Sequence, residues 1–387
     1  MSDTISELGR AHLRWALTDD IGPKRFIGVL SQFGDAERAW RVAPSELLAV
    51  QGIGPQIADS VARNRAEAEA GAEAEIATAR ELGARILCRA DTDYPPGLAK
   101  IDDPPIVLYI RGEFRPTDAI AIAVVGSRRC SIYGSEQARR FGELLAGAGF
   151  TVVSGLARGI DAFAHHGAVD AGGRSIAVMG CGLTDVYPPE NRALAERLLD
   201  SGAWISELPL KATVRAGNFP GRNRIIAGMT LGTLVIEAAA RSGALITARL
   251  ASEYNREVFA LPGRVCDPTS LGTNKLIRDG GAKLVTCLED VLDELGEVGE
   301  TMKKKLPEAA NQPAAVETPD TGRPSPALSK VEAQVYRSIP YEPVLQDLVI
   351  TASELPAGDV IAAFTSLQLK GLIRRLPGQL VVRIGLA

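Results

Sequence analysis

Short apolar runs alternate with amphipathic stretches over the middle of the chain, from about residue 84 to residue 295. The apolar runs predict β-strands at 120–125, 151–153, 175–179, 203–205, 233–236, 257–261 and 283–285, with two earlier edge strands at 84–88 and 106–110. Helical spacing between them predicts helices at 133–148, 160–171, 192–199 and 244–254. Short apolar strands that alternate with helices are typical of a parallel sheet covered on both faces. We therefore predict an α/β domain of the doubly wound class at residues 83–295.

Residues 1–82 have a different pattern, with apolar positions at helical spacing and short breaks at glycine. They predict an N-terminal helical domain that ends in a long Ala/Glu/Arg-rich helix. The Gly-Ile-Gly triplet at 52–54 precedes that helix and resembles the turn of a helix-hairpin-helix, whose backbone amides can contact a phosphate. A tight turn between two helices of a small bundle explains the triplet equally well, so both interpretations stay open.

Residues 296–387 divide into two segments. Residues 296–326 lack apolar periodicity and contain Pro, Glu, Thr and Lys, which predicts a flexible linker. Residues 327–387 regain periodicity, with helices predicted around Val331–Tyr336, at 344–350 and at 360–369, followed by a β-hairpin of 372–375 and 380–384. Three helices and a hairpin predict a winged-helix domain.

Composition changes this picture in three respects. The 43 Lys and Arg against 47 Asp and Glu give a net charge of −4, which excludes a chain that coats nucleic acid by bulk charge. Any nucleic-acid site must therefore be a local cluster. The five cysteines are scattered without a CxxC pair, so neither a disulfide framework nor a zinc site is expected. The N-terminus lacks a secretory pattern, and the longest apolar run is far below the roughly 20 residues of a membrane span, so we expect a cytoplasmic protein without a membrane partner.

The loops that follow the predicted strands carry the candidate chemistry. In an open parallel sheet, ligands bind outside the carboxyl ends of the strands. Here those loops are small, polar or cationic, and their glycines and helix N-termini would admit an anion. No GxGxxG follows the first strand and no GxxxxGK[ST] occurs, so ordinary dinucleotide and ATP sites are not predicted.

Seven motifs in sequence order resemble the DNA-processing protein A family, DprA/Smf. They are GSR (126–128), SGLARGID (154–161), YPPEN (187–191), SELP (206–209), FPGRNRIIAG (219–228), IEAAARSGALITA (236–248) and LPG…GTNKLI…GA (261–282). The resemblance implies an extended Rossmann-like fold and a non-enzymatic, homodimeric protein without cofactor or metal. It also implies that the protein binds and protects incoming single-stranded DNA and loads RecA onto it during natural transformation.

The resemblance also implies which residues contact DNA. Arg128 of GSR is the key arginine, and FPGRNR contributes Phe219, Arg222 and Arg224, while Arg215 stands near the position where some members carry a lysine. The full candidate set is Gly126, Ser127, Arg128, Ser154, Gly155, Arg158, Arg215, Phe219, Arg222, Asn223 and Arg224. Two alternatives stay open: Phe219 either packs in the core or stacks on a base, and Arg222 or Arg224 could pair with Glu207 or Glu237.

A second function is compatible with one stretch of the chain. LGTLVIEAAARSG (231–243) distantly resembles the glycine-rich PGGxGTxxE loop of phosphoribosyl-nucleotide hydrolases, with Glu237 at the position of the acid. Met229, Thr230 and Leu231 replace the Pro-Gly-Gly, which weakens that loop as a phosphate cradle. We expect Glu237 to be a structural partner of Arg224, and Asp161 to cap a helix or brace a loop.

Overall fold

The computed structural model describes residues 4–304, 328–340, 344–376 and 378–383. The described residues up to 304 form one compact unit, and those from 328 onwards form a second. In the first unit the strands are β1 Ala84–Cys88, β2 Val107–Gly112, β3 Ala121–Val125, β4 Thr151–Ser154, β5 Ser175–Val178, β6 Ala203–Ser206, β7 Gly232–Val235, β8 Glu257–Ala260 and β9 Lys283–Leu284. Its helices are α1 Glu7–Ala16, α2 Pro23–Phe33, α3 Ala36–Arg41, α4 Pro44–Leu47, α5 Pro55–Leu82, α6 Ile132–Gly147, α7 Ile160–Asp170, α8 Arg192–Leu199, α9 Asn218–Met229, α10 Gly243–Glu253, α11 Leu271–Arg278, α12 Leu288–Glu294 and α13 Gly296–Lys303.

The nine strands form one mostly parallel sheet in the order β1-β2-β6-β5-β4-β3-β7-β8-β9. Only β1 with β2 and β2 with β6 pair antiparallel. The chain runs outwards from β3 through β4, β5 and β6, and then returns to the other side of β3 with β7 and β8. Such a reversal places a crevice at the carboxyl ends of β3 and β7. The prediction of an extended Rossmann-like α/β fold is confirmed.

Helices α6 and α7 pack closely against each other because glycines stand where they meet. A Cβ added to Gly142 of α6 would lie 2.2 Å from the Ala164 carbonyl oxygen, and one added to Gly167 of α7 would lie 1.9 Å from the Arg139 carbonyl oxygen. The central strand β3 is buried along its whole length. Because both faces of the sheet are covered, a continuous apolar run such as that of β3 predicts a strand well.

The N-terminal helices pack on the sheet and share a hydrophobic core with it. Trp15 and Trp40 meet edge to face with centroids 5.0 Å apart, and the Trp15 indole donates to the Ala36 carbonyl at 3.0 Å. Their core continues to Trp204 of β6, so residues 4–82 belong to the same compact unit as the sheet. Gly52 has φ +83°, and its carbonyl accepts from the Arg25 guanidinium at 2.9 Å. The tight turn is thus present, and its contact with a phosphate stays a prediction.

The linker predicted from residue 296 is wrong for residues 296–303, which form α13. Met302 of α13 is buried, and a Cβ added to Gly299 would lie 1.9 Å from the Leu292 carbonyl oxygen of α12. Lys303 binds Asp293 at 2.6 Å and Glu300 at 2.8 Å. A few apolar contacts and close packing therefore make a helix from a sequence rich in Gly and Glu. The rest of the predicted linker, from 305 to 326, lies outside the described residues.

The second unit is a winged-helix domain, as predicted. It contains α14 Lys330–Ser338, β10 Val344–Leu345, α15 Gln346–Ser353, α16 Ala357–Leu369, β11 Ile373–Leu376 and β12 Leu380–Arg383. The strands pair antiparallel in the order β10-β12-β11, and the helices enclose a core around Phe364. Pro377 of the predicted hairpin and Ile384 at its end lie outside the described residues.

Within the described ranges, no single helix is long and apolar enough to cross a membrane; only the bent pair Gln346–Ser353 and Ala357–Leu369 meets that test, and then by length and composition alone. The same part of the chain contains no group of three or more His, Cys, Asp or Glu side chains placed to hold a metal ion.

Candidate functional site

An open cleft of about 870 Å³ lies at the carboxyl ends of β3 and β7, where the strand order reverses. One wall is the loop after β3, with Gly126, Ser127 and Arg128, together with Arg129. The start of α9 contributes Phe219, Arg222 and Asn223, and the opposite wall is formed by the N-terminal turn of α10 with Pro268 and Thr269. Six of the eleven candidate residues therefore meet at one cleft, namely Gly126, Ser127, Arg128, Phe219, Arg222 and Asn223.

The loop after β3 is held by its backbone, which leaves its cations free to face solvent. The Ser127 amide donates to the Glu237 carbonyl at 2.8 Å, and the Ile160 amide donates to the Ser127 carbonyl at 3.2 Å. A Cβ added to Gly126 would lie 2.5 Å from the Ile160 side chain. Arg128 and Arg129 are exposed, and no carboxylate of the described residues forms an ion pair with either. The loop can therefore offer two uncompensated positive charges to an anion.

Phe219 lies against two guanidinium groups at the cleft. The Arg128 guanidinium carbon is 4.9 Å from the centre of the Phe219 ring, and that of Arg222 is 5.7 Å away. Phe219 is partly exposed, and a Cβ added to Gly180 would lie 3.0 Å from its ring. The Phe219 ring therefore matches neither interpretation fully: it is not a buried core residue, and it is not a freely accessible surface on which a base could stack.

Arg222 is a buried residue with partners inside the protein, which argues against its predicted role as a direct phosphate contact; that role stays a prediction. It is 5% exposed, and its Nη1 donates to the carbonyls of Gly155 and Val178, both at 2.5 Å. The Asp161 carboxylate attracts it and accepts from the Gly155 amide at 3.1 Å. Burial lowers the pKa of Arg222 and raises the pKa of Asp161, and in each case the opposite charge of the partner counteracts the shift. This pair stabilises the floor of the cleft.

Arg224 and Ser154 are likewise satisfied inside the protein. Arg224 is 8% exposed, binds the Glu207 carboxylate, and donates to the Asp103 carbonyl at 2.6 Å. The Ser154 hydroxyl is fully buried and donates to the Val124 carbonyl at 2.6 Å. The same physical reason argues against their predicted direct contacts with DNA, which stay predictions: their polar groups already have partners and little solvent reaches them. Burial outweighs the attraction of Arg224 and raises the pKa of Glu207.

The remaining candidates occupy the margin of the cleft. Arg158 is exposed but forms an ion pair with Glu190, and it lines a small neighbouring cavity together with Gly155. Gly155 itself is buried. Arg215 is exposed in the loop before α9, where its carbonyl accepts from the Asn218 amide at 3.0 Å.

Glu237 does not pair with Arg224, so that expectation is wrong. It is 1% exposed, and its carboxylate accepts from the Ser131 amide at 2.9 Å and from the Ser131 hydroxyl. Ser131 in turn caps α6 by accepting from the Gly134 amide at 2.9 Å. A Cβ added to Gly134 would lie 2.4 Å from the Glu237 carboxylate, which shows how closely the acid is enclosed. Glu237 therefore attaches the N-terminus of α6 to the end of β7.

Asp161, which accepts two loop amides, braces its loop as expected.

The structure adds cleft residues that the sequence argument did not select. Arg129 follows the GSR motif directly, and Tyr187 belongs to the YPPEN motif, so the motifs could have indicated both residues. Ser242 and Thr247 on the far wall belong to the IEAAARSGALITA motif, whereas Thr269 lies between the quoted motifs; the nearness of all three to Arg128 depends on β7 lying beside β3.

Comparison with known proteins gives consistent matches over most of the chain. The family model for DNA recombination-mediator protein A matches residues 85–296, and the model for the DprA winged helix domain matches residues 319–379. Protein Smf of Synechocystis is 34% identical over 95% of this chain and 96% of its own length. Protein Smf of Escherichia coli is 42% identical over 76% of each chain. The X-ray structure of DNA processing protein A from Streptococcus pneumoniae matches with a TM-score of 0.64 and 32% identity, covering 75% of this chain and 98% of that one.

Proposed function

This chain belongs to the DNA recombination-mediator protein A family, and from that membership we propose that it binds single-stranded DNA in the cleft around Arg128 and loads RecA recombinase onto the bound strand. The observation that carries the proposal is the exposed, unpaired Arg128 at the switch point of the sheet, beside an aromatic ring. A cationic groove combined with aromatic side chains is the usual way to bind single strands without sequence preference.

Charge distribution supports a local site. The whole chain carries a net charge of −4, so bulk attraction does not bring DNA to it. Arg128 and Arg129 lack ion-pair partners among the described residues, whereas Arg158, Arg222 and Arg224 are engaged inside the protein or with a carboxylate. Phosphate contacts are therefore expected mainly from the loop after β3, with Arg215 as a further candidate.

The alternative, a phosphoribosyl-nucleotide hydrolase, is disfavoured by the placement of Glu237. A catalytic acid must lie within hydrogen-bond reach of its substrate. Glu237 does not line the cleft, and both its carboxylate oxygens are bound to Ser131. We therefore propose a non-enzymatic role in the cytoplasm, with incoming DNA during natural transformation as the substrate.

We also propose that the protein acts as a homodimer through the back half of the α/β domain, at about residues 240–295. Large apolar side chains there are exposed: Val265 at 87%, Leu271 at 45% and Leu284 at 42%. Sedimentation over a range of concentrations tests this, and a monomer at every concentration would contradict it.

Replacing Arg128 with alanine tests the DNA-binding proposal. If Arg128 neutralises one phosphate, Arg128→Ala should weaken binding to oligo-dT and flatten the salt dependence of log K by about 0.7. Arg128→Lys should keep the slope, since the charge remains. Arg139→Ala is the matched control, because Arg139 is an exposed arginine that pairs with Asp170 and does not line the cleft.

Titration by fluorescence anisotropy at several salt concentrations, with melting curves alongside, makes this measurement. An exposed loop arginine contributes within about ±0.5 kcal/mol to stability, so the fold should survive. Wild-type affinity and slope in Arg128→Ala would refute the phosphate contact.

A further inference from the structure

Tyr187 is an exposed aromatic residue at the cleft. It lies in the loop after β5 and is 38% exposed. It lines both the main cleft and the small neighbouring cavity, and its ring centre is 6.2 Å from that of Phe219. Arg128 also lines both spaces, so the phenol ring and the free cation border the same volume.

Phe219 is less accessible to a base than its place in the motif indicated. Arg128 and Arg222 lie over its ring at 4.9 and 5.7 Å, and Gly180 stands against its edge. A base could stack on Phe219 only by displacing the Arg128 guanidinium. Displacement would give up a cation–π contact and remove the cation from the position in which it faces the cleft.

The ring of Tyr187 has neither restriction, although the Tyr187 side chain also forms a hydrogen bond with Arg158. No guanidinium group of the described residues lies over its ring, and more of its surface faces solvent than that of Phe219. Its tilt of 47° to Phe219 leaves the two rings as neighbouring walls rather than as a closed stack.

We propose that Tyr187 is the base-stacking residue of this site, holding a base of the single strand whose phosphate is bound by Arg128. Phe219 then acts as a positioning residue that supports both Arg128 and Tyr187. The inference rests on the proposed function and adds the residue that contacts the bases.

Base stacking on an aromatic side chain stabilises binding by an amount that corresponds to about 5- to 150-fold in affinity. Tyr187→Ala should therefore weaken oligo-dT binding within that range while leaving the salt slope unchanged, since stacking releases no counterions. Tyr187→Phe should bind within about twofold of the wild type, because it keeps the ring. Tyr133→Ala is the control, since Tyr133 is 47% exposed and does not line the cleft.

A second oligonucleotide separates stacking from support of the loop. Wild-type protein should lose affinity for an oligomer in which abasic sites replace the bases, and Tyr187→Ala should lose little more on that oligomer. The stacking role alone would be overturned if the losses of affinity caused by Tyr187→Ala and by the abasic sites were additive. It would also be overturned if Tyr187→Ala bound oligo-dT as tightly as the wild type. If Tyr187→Ala does not fold, the comparison of Tyr187→Leu with Tyr187→Phe decides: equal affinities would overturn the inference. Absence of oligo-dT binding by the wild type would overturn the proposed function and this inference with it.

Discussion

Replacing Arg222 tests whether burial or motif membership decides the role of an arginine at this site. Its guanidinium donates to two carbonyl oxygens at 2.5 Å and lies close to the buried Asp161 carboxylate. Arg222→Ala would leave that carboxylate without its compensating charge and two carbonyls without a donor. Removing a buried guanidinium that is bonded to two carbonyls and offsets the charge of a nearby buried carboxylate should destabilise the protein by about 3–5 kcal/mol. Since about 1 kcal/mol shifts the melting temperature of a domain of this size by about 2–4 °C, we expect a decrease of about 6–20 °C.

The assay pairs thermal melting with oligo-dT binding over a salt series. Arg139→Ala is the matched control, since Arg139 is exposed, does not line the cleft and should change stability by no more than about 0.5 kcal/mol. Arg222→Lys should also melt early, because one ammonium nitrogen cannot replace both the Nη1 that reaches the two carbonyls and the Nε that donates to the Asn223 side chain at 3.2 Å. The reasoning would be refuted if Arg222→Ala melted like the wild type while its salt slope fell by about 0.7, the signature of a lost phosphate contact.

Two further predictions concern buried groups next to the site. Burial, assisted by the positive charges of His166 and Arg222, lowers the pKa of His165 to about 3. Between pH 6.5 and about 3 the unfolded chain therefore binds one more proton than the folded chain. The free energy of unfolding should fall as the pH falls through this range, by up to about 1.4 kcal/mol per pH unit. Urea unfolding at pH 7, 6, 5 and 4 should show a shallower dependence in His165→Asn than in the wild type, and parallel curves would contradict the assignment. Glu237→Gln should lower the free energy of unfolding by about 1–3 kcal/mol, since the Ser131 amide and hydroxyl lose a charged acceptor. Denaturant unfolding measures this change. An unchanged free energy of unfolding would show that the contact between Glu237 and α6 is dispensable.

Whether the sequence predicts a strand or a helix correctly depends on what surrounds that element in the fold. The strand predicted at 120–125 is β3 at Ala121–Val125, and the one predicted at 175–179 is β5 at Ser175–Val178. Both are continuous apolar runs, because helices cover both faces of a parallel sheet. By contrast, α13 follows from distant packing: the Met302 sulfur lies 3.8 Å from where a Cβ at Gly149 would be. Nothing in residues 296–303 alone indicates that contact.

The candidate site shows the same division. Its location could be predicted, because loops after parallel strands gather at one edge of the sheet. The roles of its arginines could not be predicted, since Arg128 and Arg222 are the same residue type in equally polar motifs. Arg222 is buried because it meets Gly155 and Val178, which lie 67 and 44 residues away in the chain. Tyr187 reaches the cleft for a similar reason, through a loop after β5 that comes beside the start of α9.

Local pattern by itself determined the strands of the sheet, four of the helices beside it, the winged-helix segment and the edge of the sheet where cations collect. Those features depend on periodicity and on glycine and charge at nearby positions, which are properties of short stretches of chain. Only the tertiary structure decided which cations remain free to meet a phosphate, which acid is enclosed at a helix N-terminus and which aromatic ring stays open. Those outcomes depend on desolvation and on partners brought together from distant parts of the chain, and no short stretch of sequence contains that information.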